Sequence, residues 1–187
     1  MTQTVIPALD LTTISACKAC PKLGKDHVPA CGTPLADLMI IGQSPGEDEV
    51  RTREPFTGPA GHLLKNMLTL LLLDRTECYI TNVVKCRPPN NRASERDEKV
   101  NCHQAWLKDE IKIVNPPVLL LLGRDAHEIV LPSKYPFTNK SVVRTKKRSY
   151  VSLYHPAYWL RRSTGSGKFL DGAAVVQEEL EYWRSQA

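Results

Sequence analysis

The sequence predicts an α/β fold: a three-layer α/β/α sandwich around a central four-stranded parallel sheet, with residues 1–187 forming one domain. Three observations carry this. Four short apolar runs, bounded by turn residues, are hydrophobic throughout rather than alternating, as strands covered on both faces are. Stretches with helical spacing separate them. No internal repeat, low-complexity tract or linker divides the chain, whose length suits one core.

The runs are "LMIIG" at 38–42, "CYITNVV" at 78–84, "VLLLLG" at 118–123 and "YVSLYH" at 150–155. Between the first two, "AGHLLKNMLTLLL" places Leu63, Leu64, Met67, Leu68, Leu71 and Leu72 at helical spacing. Next, "ERDEKVNCHQAWLKDEIKIV" reads as a helix opened by Ser94 as its cap and closed before Pro116. "GRDAHEIVL" follows the third run, and "GAAVVQEELEYWRSQ" ends the chain as a helix. "PACGTP", with Cys31, reads as a turn to which no role is assigned.

Hydrophobic residues make up 42% of the chain and charged residues 24%, ordinary for a soluble globular protein. No apolar run reaches membrane-spanning length, and the N-terminus lacks the basic start and apolar stretch of a secretion signal, so a cytoplasmic location is expected. The 25 basic and 20 acidic residues give +5, a lean toward a polyanionic partner. Cations concentrate in "RTKKRS" at 144–149 and "LRRSTGSGK" at 160–168, which could equally be solvated faces.

Six cysteines in a reducing compartment point to metal binding or catalysis rather than disulfides. Cys17 and Cys20 form a C-x-x-C pair, and Cys86 and Cys102 a second, wider pair. Four thiolates suit either a structural zinc or an iron–sulfur cluster, and spacing alone does not choose. Cys78 opens an apolar run and reads as a small buried hydrophobe.

In parallel sheets of this kind, ligands bind beyond the carboxyl ends of the strands. "GQSPGED", "NVVKC", "GRDA" and "HPAYWLRR" all fall there and should gather on one rim. Taken together, "IGQSPGEDEVRTREPFTGPAGHLL", "YITNVVKCRPPNNR", "VLLLLGRDA" and "YHPAYWLRR" resemble the successive blocks of the family 4, iron–sulfur uracil-DNA glycosylases, from about Cys17 to Arg162.

That resemblance implies a fold, a chemistry and a set of roles. Cys17, Cys20, Cys86 and Cys102 would ligate a structural [4Fe–4S] cluster tying the N-terminal segment to the loop at 86–102, whose Arg87, Arg92 and Arg96 form a DNA-facing surface. Asn82 would read uracil, accepting from N3–H and donating to O4, a pattern cytosine reverses. Phe56 would stack on the flipped base. Gly42, Ser44, Pro45 and Gly46 would complete the substrate pocket. His155, held extended by Pro156, would donate to uracil O2 as negative charge develops there. A side chain of "WLRR" would plug the duplex while Arg161 and Arg162 hold phosphates.

One block departs from the family. G-E-x-P-G is the usual first block, its glutamate being the favoured catalytic carboxylate, whereas Gln43 stands at that place here. Glutamine orients a water but cannot act as its base; either Glu49, or less favourably Glu47 or Asp48, supplies the carboxylate, or the reaction proceeds mostly by leaving-group stabilisation and flipping, with the water positioned by Gln43 and backbone. The related family 1 enzymes carry G-Q-D-P at this block, with an aspartate where Ser44 stands here. The expected protein is therefore a monomeric, monofunctional repair enzyme acting on uracil in single- or double-stranded DNA. The alternatives are a catalytically weakened uracil-DNA-binding protein with the same pocket, and a cysteine-rich redox or zinc module sharing only the fold.

Overall fold

In the computed structural model, the described residues are 14, 16–20, 23, 26–162 and 165–186. The strands are β1 (Cys31–Gly32), β2 (Leu38–Gly42), β3 (Tyr79–Asn82), β4 (Val118–Leu122), β5 (Ser141–Arg144) and β6 (Ser149–Leu153). The helices are α1 (Glu47–Thr52), α2 (Pro59–Leu70), α3 (Arg96–Cys102), α4 (Lys108–Val114), α5 (Arg124–Val130), α6 (Pro156–Leu160), α7 (Gly165–Leu170) and α8 (Gly172–Arg184). A π-helical stretch, His103–Leu107, joins α3 to α4.

The sheet has six strands in the order β1-β3-β2-β4-β6-β5. Its central four are parallel, as expected: Ile40 pairs with Ile80, and Leu120 with both Ile40 and Val151. Two antiparallel edges extend that sheet. β1 pairs with β3 and β5 with β6. Cys31 thus lies in a short edge strand rather than a turn, accepted because an antiparallel strand needs no crossover to reach β3.

Alternation along the strands divides the core into two layers. Leu38, Ile40, Ile80, Leu120, Val151 and Leu153 face Leu64, Met67 and Leu68 of α2 and Val176 and Leu180 of α8. Met39, Ile41, Leu119 and Leu121 face Leu107, Val114 and Ala126 on the opposite side. β4 is completely buried, which explains its unbroken leucines.

Two local expectations change. Ser94 does not cap the second helix. Glu95 is the N-cap, and Glu98 Oε2 accepts from the Glu95 N–H at 2.7 Å, while Ser94 Oγ is buried without a partner among the described residues. That helix is also not uniform: the wider turn after Cys102 shifts Trp106 round to donate from Nε1 to Cys17 Sγ at 3.3 Å.

Candidate active site and metal centre

The parallel strands all end on one side, and their loops build a cavity of about 370 Å³ there. Ser44 and Gly46 line it from the loop after β2 and Glu47 to Glu49 from the first turn of α1, with Phe56 and Gly58 from the segment before α2. Asn82 enters from the end of β3, and His155, Ala157 and Leu160 from the end of β6 and α6.

Gly42 explains how Asn82 and Phe56 come together. A Cβ there would meet Asn82 Oδ1 at 2.4 Å and Phe56 Cζ at 2.5 Å, so only glycine lets both side chains close over the end of β2. Asn82 is 4% exposed, and its carbonyl accepts from Lys85 Nζ at 2.7 Å. Lys85 in turn donates to Glu110 Oε2 and to Thr81 Oγ1, both at 2.6 Å, forming a buried polar bundle under the rim.

Phe56 has a left-handed backbone, φ 56°, a conformation that costs a non-glycine residue on the order of 1–3 kcal/mol. Its neighbours hold it there. Arg75 Nη1 donates to the Phe56 carbonyl at 3.2 Å, and Arg75 Nη2 donates to the Pro55 carbonyl. Glu49 Oε1 accepts from the N–H groups of Thr57 at 3.1 Å and Gly58 at 2.9 Å. Gly61 must lack a side chain, since a Cβ there would lie 1.8 Å from the Phe56 carbonyl oxygen.

His155 lies two residues past β6 as the N-cap of α6, and its Nδ1 accepts from the Ala157 N–H at 3.2 Å. In neutral imidazole that leaves the proton on Nε2. Burial, reinforced by the Arg161 cation, pushes the pKa down to about 4, so the ring is neutral at physiological pH. His155 thus offers one fixed N–H donor. Its ring lies 5.7 Å from that of Phe56, inclined by 27°.

Three expected residues take a different place from the obvious one. Gln43 is half-buried but does not line the cavity; its carbonyl accepts from the Val84 N–H at 3.0 Å. Pro45 is buried behind the wall. Glu49 lines the cavity, yet both its oxygens accept from backbone, Oε2 from the Gly46 N–H at 3.0 Å and Oε1 from the two N–H groups above. Arg161 and Arg162 are exposed just past α6, with the Arg162 guanidinium 4.5 Å above the Tyr158 ring.

Leu160 and Asn91 also line the cavity and were not singled out from sequence. Leu160 is 44% exposed, whereas Trp159 packs on the core, so Leu160 is the apolar member of "WLRR" that faces outward. Asn91 belongs to a loop braced by Arg87, which donates to Asn91 Oδ1 at 2.9 Å and Glu47 Oε2 at 3.1 Å. Arg92 is likewise paired, with Glu98. Of the three arginines expected to face DNA, two are committed within the protein.

Cys17, Cys20, Cys86 and Cys102 are all free thiols. Burial raises the thiol pKa of Cys20 to about 11 and of Cys86 to about 12, and in both cases the neighbouring cysteines add to the rise. The four sulfurs are therefore electrostatic neighbours, though among the described residues no three His, Cys, Asp or Glu side chains converge on one ion. The Lys85 N–H donates to Cys102 Sγ at 3.3 Å, a second N–H···S contact beside that of Trp106.

A family model, the uracil DNA glycosylase superfamily, matches residues 29–181. The chain belongs to the uracil-DNA glycosylase superfamily. It is 37% identical to a type-4 uracil-DNA glycosylase of Archaeoglobus fulgidus over 80% of each chain. It is 33% identical to that of Thermotoga maritima over 92% of this chain and 90% of the relative. It is 39% identical to the Sulfurisphaera tokodaii type-4 protein over 75% of this chain, spanning 64% of that relative's length. These relatives set it in the type-4 branch of the superfamily, and no helix among its described residues is long and apolar enough to cross a membrane.

Proposed function

We propose that the protein is a monofunctional DNA-repair glycosylase that flips deoxyuridine from single- or double-stranded DNA and hydrolyses its N-glycosidic bond. Free uracil and an abasic site would be the products. The observation that carries the reading is the meeting of Asn82, Phe56 and His155 in one cavity. An amide, a flat apolar ring and a neutral imidazole donor are what recognition and departure of a uracil anion require.

In this reading Asn82 pairs with N3–H and O4, its amide fixed by a backbone that Lys85 anchors. A buried, hydrogen-bonded reader of this sort rejects a mismatched base by factors of about 10⁴ to 10⁵. Phe56 supplies the stacking face. His155 Nε2–H donates to O2 as the C1′–N1 bond breaks and its electrons move onto the ring, stabilising charge where it forms. Water adds at C1′ and its proton passes to solvent. Glu49 places a negative charge beside the cationic sugar while holding the cavity wall; with its oxygens already accepting, its role is electrostatic more than that of a base. Gln43 orients the water only by turning its amide toward the cavity. Leu160 fills the gap left in the duplex, and Arg161 and Arg162 hold the flanking phosphates.

The four cysteines suit a [4Fe–4S] cluster: all-thiol donors near enough to act on one another electrostatically, with two N–H···S contacts. Bound there, the cluster supplies structural bracing between the C-x-x-C segment and the loop after β3, completing one domain. The working protein is a cytoplasmic monomer.

Incubation of the brown, iron- and sulfide-loaded protein with a uracil-containing oligonucleotide, followed by alkali and gel analysis, should give cleavage at the uracil. Intact oligonucleotide would overturn the enzyme reading. Gln43 in place of the family glutamate favours one rival, a weakened uracil-DNA binder. Gln43→Glu separates them: a rise in rate of about 10² or more marks the natural protein as crippled.

A further inference from the structure

We propose that the protein carries a second phosphate-binding site, at the opposite end of the sheet from the uracil cavity, which takes the backbone of a second nucleic-acid segment. A cleft of about 530 Å³ lies there, lined by Lys108 and Lys112 of α4 and by Lys146, Lys147 and Arg148 of the β5–β6 hairpin. Among the described residues, no carboxylate lines it. In a chain with 25 basic and 20 acidic residues, five cations gathered without a counter-charge in the lining are a local excess.

The cleft is built rather than merely basic. Lys108 and Lys112 stand one turn apart on the same face of α4. The hairpin tip is locked by Thr145, whose hydroxyl accepts from the N–H groups of Lys147 and Arg148 and donates to the Arg148 carbonyl. Arg148 is only 8% exposed, held by Asn115 Oδ1 through Nη2, and its Nη1 is buried with no partner among the described residues. Four exposed ammonium groups beside a guanidinium fixed by Asn115, with no carboxylate in the lining, point to a bound anion. Several cations spread along a cleft fit a chain of phosphodiesters better than one small ion, and the partly exposed Tyr150 ring in the same lining offers a stacking surface.

Position makes this a second site. Arg148 precedes β6 and His155 follows it, seven residues apart in sequence, so the two lie roughly 20 Å apart at extended-strand rise. A duplex seated on the uracil rim does not cover the far end. The cleft would hold the enzyme to neighbouring DNA between excision events.

The proposal rests on the glycosylase reading, and the test separates the two. All four lysines are exposed, so Lys108→Gln, Lys112→Gln, Lys146→Gln and Lys147→Gln combined should leave the fold intact. Binding of a long uracil-free duplex, followed by fluorescence anisotropy, should weaken roughly tenfold or more, and the slope of log K against log salt should fall by about 3. Excision from a short single-stranded uracil oligonucleotide, which engages the cavity alone, should be unchanged. Equal duplex affinity and slope in variant and native protein would overturn the second site. Loss of short-oligonucleotide excision by the same factor would also overturn it, showing that the lysines serve the uracil site. Saturation of the cleft by inorganic pyrophosphate with no competition from uracil-free DNA would overturn its assignment to nucleic acid.

Discussion

The imidazole of His155 lies 5.7 Å from the ring of Phe56 at 27°, while its Nδ1 accepts from the Ala157 N–H, so one nitrogen is spent on α6 and the other is left to donate. The low pKa follows from the same packing: burial and the Arg161 cation both disfavour the protonated ring. NMR titration of His155 should show an inflection near pH 4. Because the folded-state pKa is depressed below the ordinary histidine value of about 6.5, the unfolded chain binds more protons between the two. Stability should therefore fall as pH drops from about 6.5 to about 4, with no further loss from this group below that. An inflection above pH 6 would remove the neutral-donor role.

Arg75 does not line the uracil cavity, yet it holds the two carbonyls that keep Phe56 left-handed. Arg75→Ala should lower single-turnover excision by about 10- to 100-fold through misplacement of the stacking ring. The visible absorption of the cysteine centre should be retained, since the contacts of Arg75 are to Glu54, Pro55, Phe56 and Cys31 rather than to the four ligand cysteines. Undiminished excision would show that the ring needs no such brace.

Gly42→Ala places a methyl group against both Asn82 and Phe56. Excision should fall by about 10² or more while circular dichroism stays native. A fully active alanine variant would mean that the two side chains do not meet over β2.

Lys85 and Glu110 form an ion pair at 2.6 Å with side chains 1% and 0% exposed. Lys85→Met alone strands a buried carboxylate and should cost about 3–5 kcal/mol in denaturant unfolding. Adding Glu110→Leu should recover most of that loss. Equal instability of the single and double variants would contradict the pairing.

Much of this molecule was legible in its sequence because parallel strands announce themselves. β4 is five buried residues of Val and Leu, and such a run has few other uses. The edges escaped notice for the converse reason: β5 alternates between half-buried and exposed residues, and β1 is two residues long. Asn82 and His155 could be placed by strand ends and family blocks. Arg75 could not, because it braces Phe56 through backbone carbonyls, which leave no trace in residue type. Asn91 was hidden in a loop whose left-handed turn at Asn90 and Asn91 is a tertiary outcome. Glu49 reads as a candidate carboxylate from the loop it shares with Gln43, and only geometry reveals three backbone donors on its oxygens.

The central claim is that Asn82 reads uracil in the cavity it shares with Phe56 and His155. Single-turnover excision from oligonucleotides carrying uracil or cytosine at one position, by native protein and Asn82→Ala, tests it most directly. Native protein should release uracil and leave cytosine intact, and Asn82→Ala should lose uracil release by about 10² or more. Equal uracil release by the two proteins would contradict the account.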